Sequence, residues 1–257
     1  MGFPQFPDKY MNQAVLRAED IVAYRGRLGR MPDLPKLEGV LLCLERGLPR
    51  KLRWKIPVRH AGSMNGDLYA IKKTGGRVAV MTGFGGGAPM VAELAEEFAV
   101  MGAKKIVLMT WGGTLQSTLR AGDIVICDRA IRDEGTSLHY LPPAKHIQAS
   151  PALVEALQQS IHHQGAAFST GTTWTTDAPY RETVEEVRQY QAEGVLTVEM
   201  ESAGLFAIGE VRKIQTASVV VVMDSLANLE WQVPERLEPI SRSLEVVYRA
   251  AIEALAG

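Results

Sequence analysis

The sequence predicts an α/β protein in which a mostly parallel or mixed sheet lies between helical layers. Three observations carry this. Short apolar runs, among them VLLCL at 40–44 and IVLM at 106–109, alternate with longer stretches of helical periodicity. The run ASVVVVM at 217–223 is nearly all β-branched, as in a central strand covered on both faces. Glycines follow several of these runs, where a strand would turn toward a helix.

In chain order, residues 9–28 read as an amphipathic helix, with Tyr10, Met11, Ala14, Val15, Ala18, Ile21 and Val22 at helical spacing and Gly29 placed to end it. Pro32 and Pro35 mark a linker. After the strand at 40–44, the basic residues Arg46, Arg50, Lys51, Arg53, Lys55 and Arg59 read mainly as a solvated loop. Strands at 67–71 and 77–81 flank a Gly75-Gly76 turn. A helix over 89–101 carries Met90, Leu94, Phe98 and Met101 on one side and stops at Gly102. The strand at 106–109 runs into a turn, Thr110-Trp111-Gly112-Gly113, and a strand at 123–131 follows. Ser150-Pro151 offers a capping hydroxyl and a first-turn proline to a helix ending near His163. A strand at 168–174, a charged surface helix at 181–191, a strand at 195–198 and a helix from Glu201 come next. The strand at 217–223 and a helix over 238–255 complete the pattern. With no repeat and no break in composition, residues 1–257 read as a single domain whose first 37 residues form a helix and linker.

Composition excludes several functions. A net charge of -1 argues against nucleic acid or an anionic membrane as partner. The start, MGFPQFPDKY, has neither the basic nor the apolar region of a signal peptide, and residues 217–223 are too few to span a bilayer. The expected location is therefore the cytoplasm. Cys43 and Cys127 sit inside apolar runs, without metal or redox spacing, and read as buried thiols.

Ligands of α/β sheets gather beyond the carboxyl ends of strands, and three segments there could carry chemistry. GFGGGAP at 83–89 offers backbone N–H groups and a helix start to an anion, or is simply a tight turn. It also fits the dinucleotide pattern G-x-G-x-x-A, but the next strand ends in Met109-Thr110-Trp111 rather than in the acid that a ribose would need. Glu199-Met200-Glu201 places two carboxylates where a strand becomes a helix. Glu201 could bind a sugar diol, or both acids could serve the helix N-terminus. Asp224 ends the most apolar strand, where burial would suit a general acid, or it caps the next segment, SLANLEW.

The order VAVMTGFGGGAP, VLMTWGGTLQ, AGDIVICDRAIRDEGTSLHY, TTDAPYRE, VEMESAGLFAI and VVVMDS resembles the nucleoside phosphorylase family, which includes uridine phosphorylase, purine nucleoside phosphorylase and the methylthioadenosine nucleosidases. The likeness spans about residues 38–226, and EMES with its spacing to Asp224 is its most specific part. It implies a three-layer α/β/α fold with a central mixed β-sheet. It implies phosphorolysis of a nucleoside to free base and pentose 1-phosphate, through an oxocarbenium-like transition state. Phosphate is then co-substrate, with no metal and no organic cofactor. It implies a homo-oligomer, a dimer or a trimer of dimers, with shared active sites.

Carried over by residue, the resemblance gives Glu201, Met200 and Glu199 to the ribose, and Gly85 and Gly86 to the glycine loop near ribose and base. Tyr180 and Arg181 fall in the base loop, and Asp224 takes the place of the acid that protonates a purine. Asp224 tilts toward purines while RDEGTSLHY is closest to uridine phosphorylases, so the base stays open. His139 and His60 are candidates for the sugar, or plain structural histidines. The phosphate residues would be Gly47, Arg50, Gly112, Gly113 and an Arg59 lent between subunits. Here the chain departs from the family. Glu45-Arg46-Gly47-Leu48-Pro49-Arg50 lacks the aspartate of a Gly-Asp-Pro loop, and Leu108 stands where an arginine is usual. That departure keeps two alternatives open, a hydrolytic nucleosidase and a catalytically silent nucleoside-binding relative.

Overall fold

The computed structural model describes residue 6 and residues 8–257. Residues 1–5 and 7, the start of the segment read above for a targeting signal, lie outside the described residues. The elements are α1 (Ala18–Arg27), β1 (Gly39–Cys43), α2 (Leu48–Lys51), β2 (Val58–Ser63), β3 (Asp67–Ile71), β4 (Val78–Thr82), α3 (Ala88–Val100), β5 (Lys105–Thr114) and β6 (Ile124–Asp133). They continue with β7 (His146–Gln148), α4 (Pro151–His163), β8 (Ser169–Thr176), α5 (Val184–Ala192), β9 (Thr197–Glu199), α6 (Ser202–Arg212), β10 (Gln215–Ser225) and α7 (Glu238–Ala256).

The strands form one mixed sheet in the order β10-β6-β8-β9-β5-β1-β4-β3-β2, with β7 on β6 and β10 also paired to β5. The strands β5, β10, β6, β8 and β9 thus close a ring, and β1, β4, β3 and β2 extend from it. β1, β4 and the first half of β5 are buried without alternation, as strands covered on both faces must be. α3 packs on α6, which lies against β6 and β10. α7 lies across β1, β5 and β10 and packs on α4. The expected α/β architecture, with helices flanking a central mixed sheet, is what the chain adopts.

Several local expectations change. Residues 9–28 do not form one helix: a 3-10 turn at Lys9–Met11 is followed by irregular chain, and α1 begins only at Ala18. Met11 and Val15 are exposed, so periodicity there had no surface to bury on, and propensity alone does not hold a short helix. α1 itself buries no residue fully and is tied down by charge. Arg25 pairs with Glu97 of α3, and Arg212 of α6 pairs with Glu96 and with Glu19. The basic stretch read as a loop contains α2 and the edge strand β2, whose exposed Arg59 and His60 suit an edge. Ser150 is the N-cap residue of α4, as expected, but its hydroxyl does not do the capping; it accepts the Thr216 N–H of β10 at 2.9 Å.

The expected turn at residues 110–113 is strand. β10 pairs with β5 along its whole length, to Thr114. The glycines there serve close approach. A methyl group on Gly112 would overlap the carbonyl oxygen of Val198, where β9 crosses to pair with Gly113. Backbone cannot yield as a flexible side chain does. Gly112→Ala is therefore expected to lose about 1–3 kcal/mol of stability by overpacking, read as a lower urea midpoint. An unchanged midpoint would show that this crossing has room to spare.

Candidate active site

β5 has a gap on one edge. Its pairing with β1 ends at Cys43↔Met109, and its pairing with β9 starts at Gly113↔Val198. Thr110, Trp111 and Gly112 between them have no strand neighbour on that side. All three line a cavity of about 1160 Å³ that opens at the gap. The chain after β1, the glycine loop before α3, the β9–α6 junction and the end of β10 form its other walls. This is where a split between neighbouring strands leaves room for a ligand.

Glu201 lies at the bottom, 4 % exposed. Its Oε1 accepts the Gly87 N–H at 2.7 Å, at the start of α3, and its Oε2 accepts the Thr110 hydroxyl and the Met200 N–H, each at 3.3 Å. A carboxylate offers about four acceptor positions, so capacity remains on the cavity side. Burial raises its pKa, against the pull of these donors. A Cβ on Gly86 would sit 3.2 Å from Oε1, so glycine there lets the loop close on the carboxylate. The glycine loop thus spends the Gly87 N–H on Glu201, while Gly85 and Gly86 stay in the cavity wall.

Glu199 is saturated. Its Oε1 accepts Thr175 at 2.6 Å and Thr173 at 3.4 Å, and its Oε2 accepts the N–H groups of Glu201 at 2.8 Å and Ser202 at 2.7 Å. It satisfies the first free donors of α6 and fixes the backbone of Glu201. Burial first, then the charge of Glu201, pushes its carboxyl above the usual carboxylate range.

Asp224 reaches the cavity through a bulge. Val222 pairs with Gly112 and Asp224 with Gly113, which leaves Met223 as the extra residue. A bulge re-aims the side chain that follows it. Asp224 Oδ1 lies 3.0 Å from where a Gly113 Cβ would be, and Oδ2 accepts the indole N–H of Trp231. Glu201, Met200, Glu199, Asp224, Tyr180, Gly85, Gly86, Gly112 and Gly113 therefore share one cavity. Tyr180 is 98 % exposed and stands at the rim.

The other sequence candidates fall outside the cavity wall. Arg181 is exposed in the 3-10 turn Pro179–Arg181. The Gly47 N–H is held by Glu45 Oε1 at 3.1 Å, and Arg50 lies toward Tyr69, which raises its pKa. Arg59 pairs with Asp33 at 2.6 Å. His60 is 3.6 Å from Asp67, and His139 is 3.1 Å from the Lys9 amine. Leu108 is fully buried in the core.

Three wall residues were not singled out from the sequence. Arg46 is the one cation in the wall among the described residues. Trp231 comes from the loop after β10, in a segment without periodicity. Glu182 directly follows Arg181, at the end of the TTDAPYRE segment already read as the base loop, and that was the available signal. Burial, then Asp224, then Glu186 push the Glu182 carboxyl up to about 7.

Fold and site together define an α/β protein with an acid-walled cavity at a split in its sheet. The sequence profile described as "Phosphorylase superfamily" matches residues 39–255, and the chain belongs to that family. A uridine phosphorylase of Treponema pallidum is 32 % identical over 69 % of this chain and 72 % of its own length. A guanosine phosphorylase of Halorubrum lacusprofundi is 26 % identical over 64 % of this chain and 71 % of its own. The crystal structure of a uridine phosphorylase from Vibrio fischeri superposes with a TM-score of 0.73 at 22 % identity, covering 88 % of this chain and 97 % of that one.

Thr175 tests the support under Glu201. Thr175→Val removes the 2.6 Å donor to Glu199 and the acceptor that the Ala203 N–H uses at 3.0 Å. A hydrogen bond to a charged group contributes about 1.5–3 kcal/mol. A loss of that size in urea unfolding is expected, and a near-neutral result would show that Glu199 does not depend on this donor.

Proposed function

We propose that this protein is a nucleoside phosphorylase, a pentosyltransferase that cleaves the N-glycosidic bond of a nucleoside with phosphate to give free base and pentose 1-phosphate. One observation carries the reading: Glu201 and Asp224, from different strand ends, face one cavity. Glu201, with an acceptor position to spare and Met200 beside it, takes the ribose hydroxyls. Its charge also favours the positive sugar of an oxocarbenium-like transition state. Glu199 positions it. Asp224, with Tyr180 at the rim and Gly85 and Gly86 nearby, belongs to the base end. The relatives' names span pyrimidine and purine, uridine and guanosine phosphorylase.

Phosphate would enter at the gap beside Gly112 and Gly113, with Arg46 as the cation within the chain. Arg59, on edge strand β2, keeps its proposed role as a residue lent to a neighbouring subunit. A homo-oligomer, a dimer or a trimer of dimers, belongs to the same proposal. The exposed Met11, Val15, Leu16, Tyr24 and Leu28 on the N-terminal segment support it, since apolar surface of that kind is commonly covered by a partner. Phosphate is the co-substrate, and no cofactor is proposed. Two free buried cysteines fit a reducing compartment, the cytoplasm. No helix among the described residues is long and apolar enough to cross a membrane.

A single cation in the wall and the apolar Leu108 favour one second reading, a hydrolytic nucleosidase that uses water. Inosine, guanosine, adenosine, uridine and methylthioadenosine, each with and without phosphate, separate the two. Phosphate-dependent release of base is expected. Equal release without phosphate supports the hydrolase, and binding without release supports a silent relative.

Losing one charged hydrogen bond, about 1.5–3 kcal/mol, predicts that Arg46→Ala raises the phosphate KM roughly ten- to hundredfold. Arg59→Ala should raise it as well, and an unchanged phosphate KM would remove Arg59 from the site.

A further inference from the structure

The mechanism implied by the family resemblance places the proton for the leaving base on Asp224. The surroundings of the two carboxyls at the base end point elsewhere. The Trp231 indole N–H is a donor only, so the Asp224 oxygen it meets is engaged as an acceptor. Glu182, half-buried in the same wall, has no hydrogen-bond or ion-pair partner among the described residues. The charged groups facing it are Asp224 from β10 and Glu186 from α5, both acidic. Arg181, beside it in sequence, is exposed and outside the wall, and Arg46 comes from the β1 side of the cavity.

We propose that Glu182, not Asp224, is the catalytic acid, and that Trp231 and Asp224 together are the positioning pair that keeps the proton on Glu182. The inference rests on the nucleoside-cleaving reading above and names a purine base as substrate. As the C1′–N9 bond breaks, its electron pair passes into the purine. The Glu182 O–H bond breaks and an N7–H bond forms. An oxygen of phosphate, or of water in the hydrolytic reading, bonds to C1′. Glu182 is left as a carboxylate and recovers its proton from solvent or from the new sugar phosphate. A carboxyl held near 7 is suited to this work at neutral pH.

The test compares inosine with 7-methylinosine, whose base is already cationic and needs no proton to leave. Wild-type kcat/KM on inosine should fall as pH rises through about 7, the value to which Glu182 is pushed. General acids contribute about 10²–10⁴-fold. Glu182→Gln should therefore lower kcat on inosine by at least a hundredfold and abolish that pH limb, yet stay within a few-fold of wild type on 7-methylinosine. Activity on the methylated substrate also reports that the variant is folded. Asp224→Asn removes a negative charge that raises the Glu182 carboxyl, and should move the limb to lower pH without abolishing it. The inference is overturned if Glu182→Gln loses both substrates equally, or if Asp224→Asn alone abolishes the limb and is rescued by 7-methylinosine. It is overturned too if the wild type cleaves uridine and no purine nucleoside, which would leave the nucleoside-cleaving reading intact. Release of no base from any nucleoside would sink that reading itself.

Discussion

The site depends on one strand serving three neighbours. β5 pairs with β10 along its full length, with β1 over its first half and with β9 at its end. β10 takes one edge whole and β1 and β9 divide the other, so the exchange of β1 for β9 leaves a stretch of β5 bare. A bare strand in a packed protein leaves backbone polar groups to be met by solvent or ligand. The walls are then set by what each neighbouring strand end delivers: Arg46 after β1, Glu201 after β9 and Asp224 at the end of β10. Gly112 and Gly113 keep this crossing tight enough for those ends to converge.

The electrostatics are lopsided. Five carboxyls, those of Glu45, Glu182, Glu199, Glu201 and Asp224, share a wall with one cation among the described residues, and Glu45 is turned to the Gly47 N–H. Two more are spoken for, Glu199 by its donors and Asp224 by Trp231, and so contribute fixed geometry. Glu201 and Glu182 keep acceptor or proton capacity and face the cavity with it. A buried anion acts at lower effective dielectric than one in water. Such a site favours a ligand that develops positive charge, as a sugar losing its base does.

Much of this was legible in the sequence, and the exceptions share a cause. Apolar strands ending in an acid pointed to Asp224 and Glu201, because a carboxyl beside VVVVM or VLTV needs a reason to be there. The inner strands and the helices from α3 onward fell within a few residues of their expected places. What the sequence hid was set by tertiary contact. The second half of β5 looked like a turn because its glycines serve the approach of β9. Glu182 sits in the charged run RETVEEV, where nothing local distinguishes a cavity carboxyl from a solvated one. Trp231 lies in a loop, and its meeting with Asp224 depends on the short bridge between Ser225 and Gln232. At residues 9–17 the pattern was helical, but no core lay beneath it.

The attachment of α1 has its own consequence. The helix has no fully buried residue, yet two ion pairs rivet it to α3 and α6, Arg25–Glu97 and Glu19–Arg212, the second through an arginine that also pairs with Glu96. Glu97 is nearly inaccessible, while Glu19 is open to solvent. Ions in solution screen the outer pair more than the inner one. Rising ionic strength should therefore loosen this helix at its Glu19 end first.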